Sequence, residues 1–421
     1  MPNIKATLTG YEVDWPDQKV LAKVSQVRSH SDGRLTAYLT YFLGEGKHQE
    51  PKFSINFSST QTRKQLVNML TEKYSGWEPS FWQTSVDELC REMQSIVDEG
   101  EPVISISSED VLPELKYLIY PLFPLGKPTC VFGNPGAGKS QFAVLMTLIA
   151  GLPWHDNPLG LGAPEEPHKF LYLDYEGDSS DVARTLIRVA KGMRLGPCNI
   201  DYRRCFLPLA QDVDSIRTHM ERIGADAVII DSVSLAAGGD LNKMELATAY
   251  IRALRAFGPE VTTISFAHTS KDRESKSKTI IGSVLFEAGF RSVWELRGTQ
   301  EDDHQDIAMY HNKANNTKRF DEMGIRISYL ENGGILAQKF DAKSVPELLE
   351  RMSNTQRILA ELKGGAQSPA ELTESLEVNR NIIDSSCNRL YKKDLIVKLS
   401  NSKWALPLDS APDEPDLGFD A

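Results

Sequence analysis

Residues 133–140 read GNPGAGKS, an order of residue types that can hold a phosphate. Gly133, Asn134, Pro135, Gly136, Ala137 and Gly138 lead directly into Lys139, Ser140 and Gln141, with the apolar run CVF before them and FAVLMTLIAG after. Glycines carry no side chain, so backbone N–H groups can curl around a phosphate. A lysine then neutralises β- and γ-phosphate charge, and a serine hydroxyl can hold a magnesium ion. The match to G-x-x-x-x-G-K-[ST], set between a strand-like and a helix-like run, predicts a P-loop. Its cofactors would be ATP and Mg²⁺, with Gly133 to Gln141 binding nucleotide and Ser140 the metal. An ordinary glycine-rich turn is the other use these residues could have.

Three further strand-like runs end in residues that complete such a site. FLYLDYEGD delivers Glu176, DAVIIDS delivers Asp231, and TISFAHTSKD delivers His268. Strands of a parallel sheet present their C-terminal ends to the same crevice as the P-loop. A glutamate there can orient and deprotonate an attacking water, a task that phosphoryl transfer to a substrate hydroxyl does not require in that position. Asp231 is placed to bind Mg²⁺ through water, and His268 to touch the γ-phosphate or the water and so report the nucleotide state. Structural uses stand beside these: Glu176 could cap the following helix, and His268 could simply pack.

The elements that must position these residues follow from periodicity. From CVF to about residue 340 the chain alternates strand and helix patterns: KFLYLDYE, DVARTLIRVAKGM, RRCFLPLA, DSIRTHMERIG, DAVIID, MELATAYIRALRAFG and VTTISFAHTS. This predicts an α/β core with a mostly parallel sheet covered on both faces over residues 108–345, with SVWELRG, IAMYHNKAN and GIRISYLENGGILAQKF extending its edge. Residues 1–107 read as a separate α+β module of unknown role. Strand-like alternation is followed there by two helices, TQTRKQLVNMLTEKY and TSVDELCREMQSIVDEG, expected to be capped by Ser or Thr, and then by a short strand in PVISIS. YLIYPLFPLGKPT, with its three prolines, reads as a linker. Residues 350–406 give three helices and a two-strand ribbon, the order of a winged helix-turn-helix. Ser368, Pro369 and Glu371 start its second helix. Residues 407–421 carry five acids and no base, the composition of a disordered acidic tail.

The chain has 421 residues and a formal charge of -11, which excludes a wholly basic protein that coats nucleic acid without specificity. The five cysteines show no metal-binding spacing and read as reduced thiols. The start of the chain lacks a signal pattern, and no apolar run reaches the ~18 residues of a membrane span, so a cytoplasmic protein without membrane contact is expected.

In the order GNPGAGKS, LYLDYEGD, VIIDS, FAHTSK, IIGSVLFEAGFRSVW and HNKANN, residues 115–335 resemble the RecA-like ATPases, and most closely the plasmid replicative helicases of the RepA type. The resemblance implies a RecA-like P-loop NTPase core and a homo-hexameric ring that unwinds DNA. Arg291 would reach as a finger into the neighbouring subunit's site, Lys313 would supply a second cation, and Arg184 would stack on adenine. The N-terminal module and the winged helix lie outside this resemblance.

Loops after the Asp231 and His268 strands would face the channel of such a ring. The second carries Lys271, Arg273, Lys276 and Lys278, suited to the backbone phosphates of single-stranded DNA, though a solvated loop would use the same residues. Arg380, Arg389, Lys392 and Lys393 in the winged helix suit duplex DNA, although such modules also dock proteins. The acidic tail would serve as a solubiliser or as a site for a protein partner. The expected activity is an ATP-hydrolysing, DNA-binding ring motor, a helicase in replication or repair of a mobile element. A DNA-binding ATPase switch in recombination, loading or regulation is the alternative, and a small-molecule kinase is disfavoured by Glu176.

Overall fold

The structure, a computed structural model, describes residues 2–30, 32–44, 48–49, 52–100, 103–108, 110–111, 114–269, 280, 282, 284–342, 354–399 and 402–407. Its first part is an antiparallel sheet of β1 (Asn3–Thr7), β2 (Gly10–Trp15), β3 (Val20–Ser29), β4 (Leu35–Leu43), β5 (His48–Gln49) and β6 (Phe53–Asn56). Alternate residues of these strands, among them Val20, Ala22 and Val24, are buried with Trp82, Leu89 and Met93 of helix α2 (Pro79–Glu99) and Leu70 of α1 (Thr60–Lys73). Ser59 caps α1 by accepting from the Thr62 N–H, as its sequence suggests. The second helix starts earlier than expected, at Pro79, whose fixed φ suits the first helical position; its N-cap is Glu78, which makes no side-chain cap bond.

The central part is a nine-stranded sheet together with a separate two-stranded hairpin. In chain order it contains β7 (Tyr117–Ile119) and β8 (Phe123–Pro124) as a preceding hairpin, then β9 (Thr129–Gly133), α3 (Lys139–Gly151), β10 (Phe170–Asp174), α4 (Ser179–Gly192), β11 (Asp201–Arg204) and α5 (Leu209–Ile223). There follow β12 (Ala227–Asp231), α6 (Val233–Ala236), α7 (Met244–Ala256), β13 (Thr262–His268), α8 (Val284–Gly289), β14 (Ser292–Gln300), β15 (His304–Ala314), β16 (Met323–Tyr329) and β17 (Ile335–Phe340). The strand order is β11-β10-β12-β13-β9-β14-β15-β16-β17. The first six run parallel and the last three continue as an antiparallel meander.

Helices cover both faces, which is why the central strands read as continuous apolar runs rather than alternating ones. Val131, Tyr172, Ile229 and Ile264 pack with α3 and the meander on one side. Their neighbours Phe132, Leu171, Val228 and Ala267 pack with α5, α7 and α8 on the other. This is a mixed α/β arrangement around a large, mostly parallel sheet, consistent with a RecA-like core.

After it come helices Asn354–Leu362, Pro369–Leu376 and Arg380–Tyr391 and a two-stranded ribbon of Val397–Lys398 with Trp404–Ala405. Ile358, Leu372, Ile383, Leu390 and Trp404 form their common core. Ser368 and Glu371 close a reciprocal capping box at the second of these helices.

Three further local expectations are corrected. The proline-rich stretch before the P-loop strand is not a linker: Leu118, Ile119, Leu122 and Phe123 are fully buried, and the Leu122 carbonyl accepts from Trp294 Nε1 at 3.1 Å. Its prolines shape tight turns in a core hairpin. PVISIS forms no strand among its described residues; Val103 and Ile106 are exposed there, and alternation without a ladder partner does not make a strand. In RRCFLPLA the strand ends at Arg204, and Leu209 already begins α5.

Candidate functional site

The register of the parallel strands brings the chemistry-bearing residues to one sheet edge. Asp174 lies opposite Asp231, Asp231 opposite Phe266, and His268 opposite Gly133. The P-loop between β9 and α3 is closely fitted. Gly138 has φ +81°, and a Cβ there would sit 2.6 Å from Ile307 Cδ1 and 3.0 Å from Gln305 Oε1. Gln305 Nε2 donates to the Gly136 carbonyl at 2.6 Å, tying the loop to the meander. Ala137 is buried, whereas Asn134, Pro135 and Gly136 are exposed on the rim. Asn134 Oδ1 accepts from Thr269 Oγ1 at 2.7 Å, and Gln141 Nε2 donates to the Tyr329 hydroxyl at 3.2 Å.

Lys139 is buried at the first turn of α3, and its Nζ donates to the carbonyls of Gly133 at 3.1 Å and Asn134 at 2.9 Å. Burial lowers its pKa, opposed by the charges of Asp231 and Glu176. Ser140 Oγ donates to Asp231 Oδ2 at 3.2 Å, and the Tyr172 hydroxyl donates to the same oxygen at 2.7 Å. Burial raises the Asp231 pKa; the Tyr172 hydrogen bond works against that and the Glu176 charge with it. The Ser140 and Asp231 oxygens are the hard donors that Mg²⁺ takes alongside phosphate and water, so the pair fits that ion.

Glu176 follows β10 in a turn built by Asp174, whose Oδ1 accepts from the Glu176 N–H at 2.9 Å and the Gly177 N–H at 2.7 Å. Asp178, not Glu176, caps α4, accepting from the Ser180 N–H at 2.7 Å. The Glu176 carboxylate instead meets Ser232 Oγ, Ser234 Oγ at 3.4 Å and His268 Nε2 at 3.3 Å. Burial alone would raise its pKa, but hydrogen bonds from Ser232 and His268 hold it below the usual glutamate value. The Glu176 contact makes Nε2 of His268 the donor, leaving Nδ1 to accept from Lys139 Nζ at 3.5 Å. His268 thus stands between the P-loop lysine and the carboxylate.

Other expected residues lie elsewhere. Arg184 is exposed on α4, paired with Asp181 at 3.2 Å. Arg291 is exposed, and its N–H donates to the Pro128 carbonyl at 2.8 Å. The following Ser292 is opposite Thr129, four residues or about 13 Å of strand from Gly133. Lys313 Nζ donates to the Glu287 carbonyl at 2.7 Å at that same far edge, and burial lowers its pKa. Within one chain, neither cation is at the phosphate site.

Lys271, Arg273, Lys276 and Lys278 lie outside the described residues, as does nearly all of the acidic tail. Arg380, Arg389, Lys392 and Lys393 are exposed, and Arg380 pairs with Asp384 at 3.1 Å. Tyr172, Asp174, Ser232 and Gln305 belong to the site but escaped sequence reasoning. The i, i+2 spacing of Tyr172 and Asp174 before Glu176 was a readable signal; Gln305, from a distant antiparallel strand, offered none.

Residues 99–274 match the family model described as an AAA domain. The matched span runs through Lys139, Glu176, Asp231 and His268 and supports a P-loop ATPase. It covers less than half of the chain, leaving outside Arg291, Lys313, most of the N-terminal part and the C-terminal helices. Among solved structures the chain is similar to a KaiC-like protein from the hyperthermophilic archaeon Pyrococcus horikoshii, at 17% identity over 53% of this chain and 93% of that one, with a TM-score of 0.37. No curated protein matches. Among the described residues, no helix is long and apolar enough to cross a membrane.

Proposed function

We propose that the chain is a Mg²⁺-dependent ATPase that works as a DNA-binding ring motor, a helicase in replication or repair of a mobile element. The observation that carries the hydrolytic part is the convergence of Lys139, Ser140, Glu176, Asp231 and His268 on one sheet edge. The P-loop amides would cradle the phosphates, Lys139 would exchange its carbonyl partners for phosphate oxygens, and Ser140 with Asp231 would hold the metal. Bound Mg²⁺ would supply neutralisation of charge on the phosphate oxygens. Glu176, kept ionised by its hydrogen bonds, accepts the proton of the attacking water, and His268 senses the γ-phosphate.

Arg291 and Lys313 fit this reading as groups given to a neighbour. They are remote from their own P-loop, as a residue acting between subunits of a homo-hexamer must be. The part at residues 350–406 is read as a winged helix-turn-helix with Arg380, Arg389, Lys392 and Lys393 toward duplex DNA. Residues 1–107 are read as a separate module and residues 108–345 as the ATPase core. Exposure of those four cations on a small separate core also favours a second reading, a DNA-binding ATPase switch.

ATPase rate with and without single-stranded DNA, measured in the same buffer as release of a forked strand, decides between them. A motor shows hydrolysis rising with single strands and strand release that depends on it. Tight duplex binding with a flat ATPase rate and no strand release by assembled rings refutes the motor.

A further inference from the structure

Behind the phosphate edge, two tyrosines occupy matched positions on adjacent parallel strands. Tyr172 of β10 lies opposite Tyr202 of β11, with ring centroids 6.3 Å apart and planes at 21°. Each hydroxyl ends on a different carboxylate. Tyr172 donates to Asp231 Oδ2 at 2.7 Å, the oxygen that also accepts from Ser140. Tyr202 donates to Asp174 Oδ2 at 3.1 Å, while the other oxygen of Asp174 holds the two N–H groups of the Glu176 turn. Asp174 and Asp231 are themselves register partners, so two like charges sit side by side. Such a pair keeps its orientation only if each member is held by its own donor.

We propose that Tyr172 and Tyr202 are positioning residues of the ATP site, Tyr172 aiming Asp231 at the metal and Tyr202 holding, through Asp174, the turn that presents Glu176. The proposal rests on the ATPase reading above and divides the site into two independently held halves. Phenylalanine preserves both rings and their stacking while removing only the donors. Loss of an outer partner of a metal ligand typically weakens metal binding by about 10–100-fold. Tyr172→Phe therefore raises the Mg²⁺ concentration needed for tight nucleotide binding by about tenfold. Tyr202→Phe leaves Mg²⁺-dependent binding within about twofold and lowers kcat about tenfold, because a loosened turn misplaces the base without touching the ground-state phosphates.

The test titrates Mg²⁺ against binding of a fluorescent ATP analogue to the full chain, alongside kcat, KM and the unfolding temperature. The opposite pattern, or a Mg²⁺ midpoint and kcat unchanged in both variants, overturns the proposal. So does a fall in unfolding temperature and activity with the Mg²⁺ midpoint unmoved in Tyr172→Phe. A wild-type chain that binds Mg²⁺–nucleotide but does not hydrolyse it sinks the ATPase reading instead, and the binding titration still decides the part played by Tyr172.

Discussion

Replacing Gly138 with alanine probes how closely the P-loop is built. At φ +81° the new side chain enters the left-handed region, which costs an ordinary residue about 1–2 kcal/mol. Its Cβ would also lie 2.6 Å from Ile307 Cδ1 and 3.0 Å from Gln305 Oε1, too close for either to stay in place. Overpacking of this kind adds about 1–3 kcal/mol, for a total near 3 kcal/mol. Gln305 also holds the Gly136 carbonyl, so relief of the clash moves the loop that cradles the phosphates. Expressed in affinity, that energy is a loss on the order of 100-fold. Titration with a fluorescent ATP analogue measures it, with thermal unfolding run in parallel to separate affinity from stability. Adding Ile307→Val deletes the nearest clashing atom and should restore about fivefold of the affinity, since relief of that overpacked contact is worth roughly 1 kcal/mol. A Gly138→Ala chain that binds nucleotide and melts like the wild type, or a double variant with no recovery, refutes the reasoning.

Burial pushes the pKa of His311 down to about 4, where its ring stacks on Trp294 at 4.2 Å between centroids. Between about pH 6.5 and 4 the unfolded chain takes up a proton that the folded site excludes, so this contribution is intact above pH 6.5 and falls away with acid, by about 3 kcal/mol in all. Denaturant unfolding between pH 7 and 5 should show a flatter pH dependence for His311→Phe than for the wild type; parallel slopes would be inconsistent with a buried neutral imidazole. Mixing Arg291→Ala with Lys139→Ala subunits should restore part of the ATPase activity at mixed interfaces, because such a finger contributes on the order of a thousandfold. Strict additivity of the two losses would show that Arg291 acts on no neighbour.

Strand ends were legible because a parallel sheet buried on both faces must be written as apolar runs, and each run stops where a polar residue reaches the edge. Glu176, Asp231 and His268 stand just at or after such stops; register sets Asp231 and His268 at the edge, and the turn after Asp174 brings Glu176 to His268. Support from distant elements was not legible. Gln305 reaches Gly136 across 169 positions of chain, and nothing near either residue signals it. The spacing of Tyr172 to Asp174 marks it as a residue of the same face, but nothing in the sequence shows that its hydroxyl reaches Asp231 on the next strand. The proline-rich run reads as a linker because prolines that tighten a buried hairpin and prolines that stiffen a linker are alike in composition; only the burial of Leu118, Ile119, Leu122 and Phe123 separates them. The far-edge position of Arg291 and Lys313 follows from β14 running parallel to β9 and antiparallel to β15, which no local pattern encodes.

The central claim is that the edge cluster hydrolyses ATP with Glu176 as the base, and Glu176→Gln isolates it. The amide keeps the size of the side chain and its contact with Ser232 while removing the proton acceptor. Single-turnover hydrolysis measured beside nucleotide affinity should show binding within about threefold of the wild type and a rate lowered by about 10²–10⁴-fold. Wild-type turnover by the Glu176→Gln chain would contradict the account.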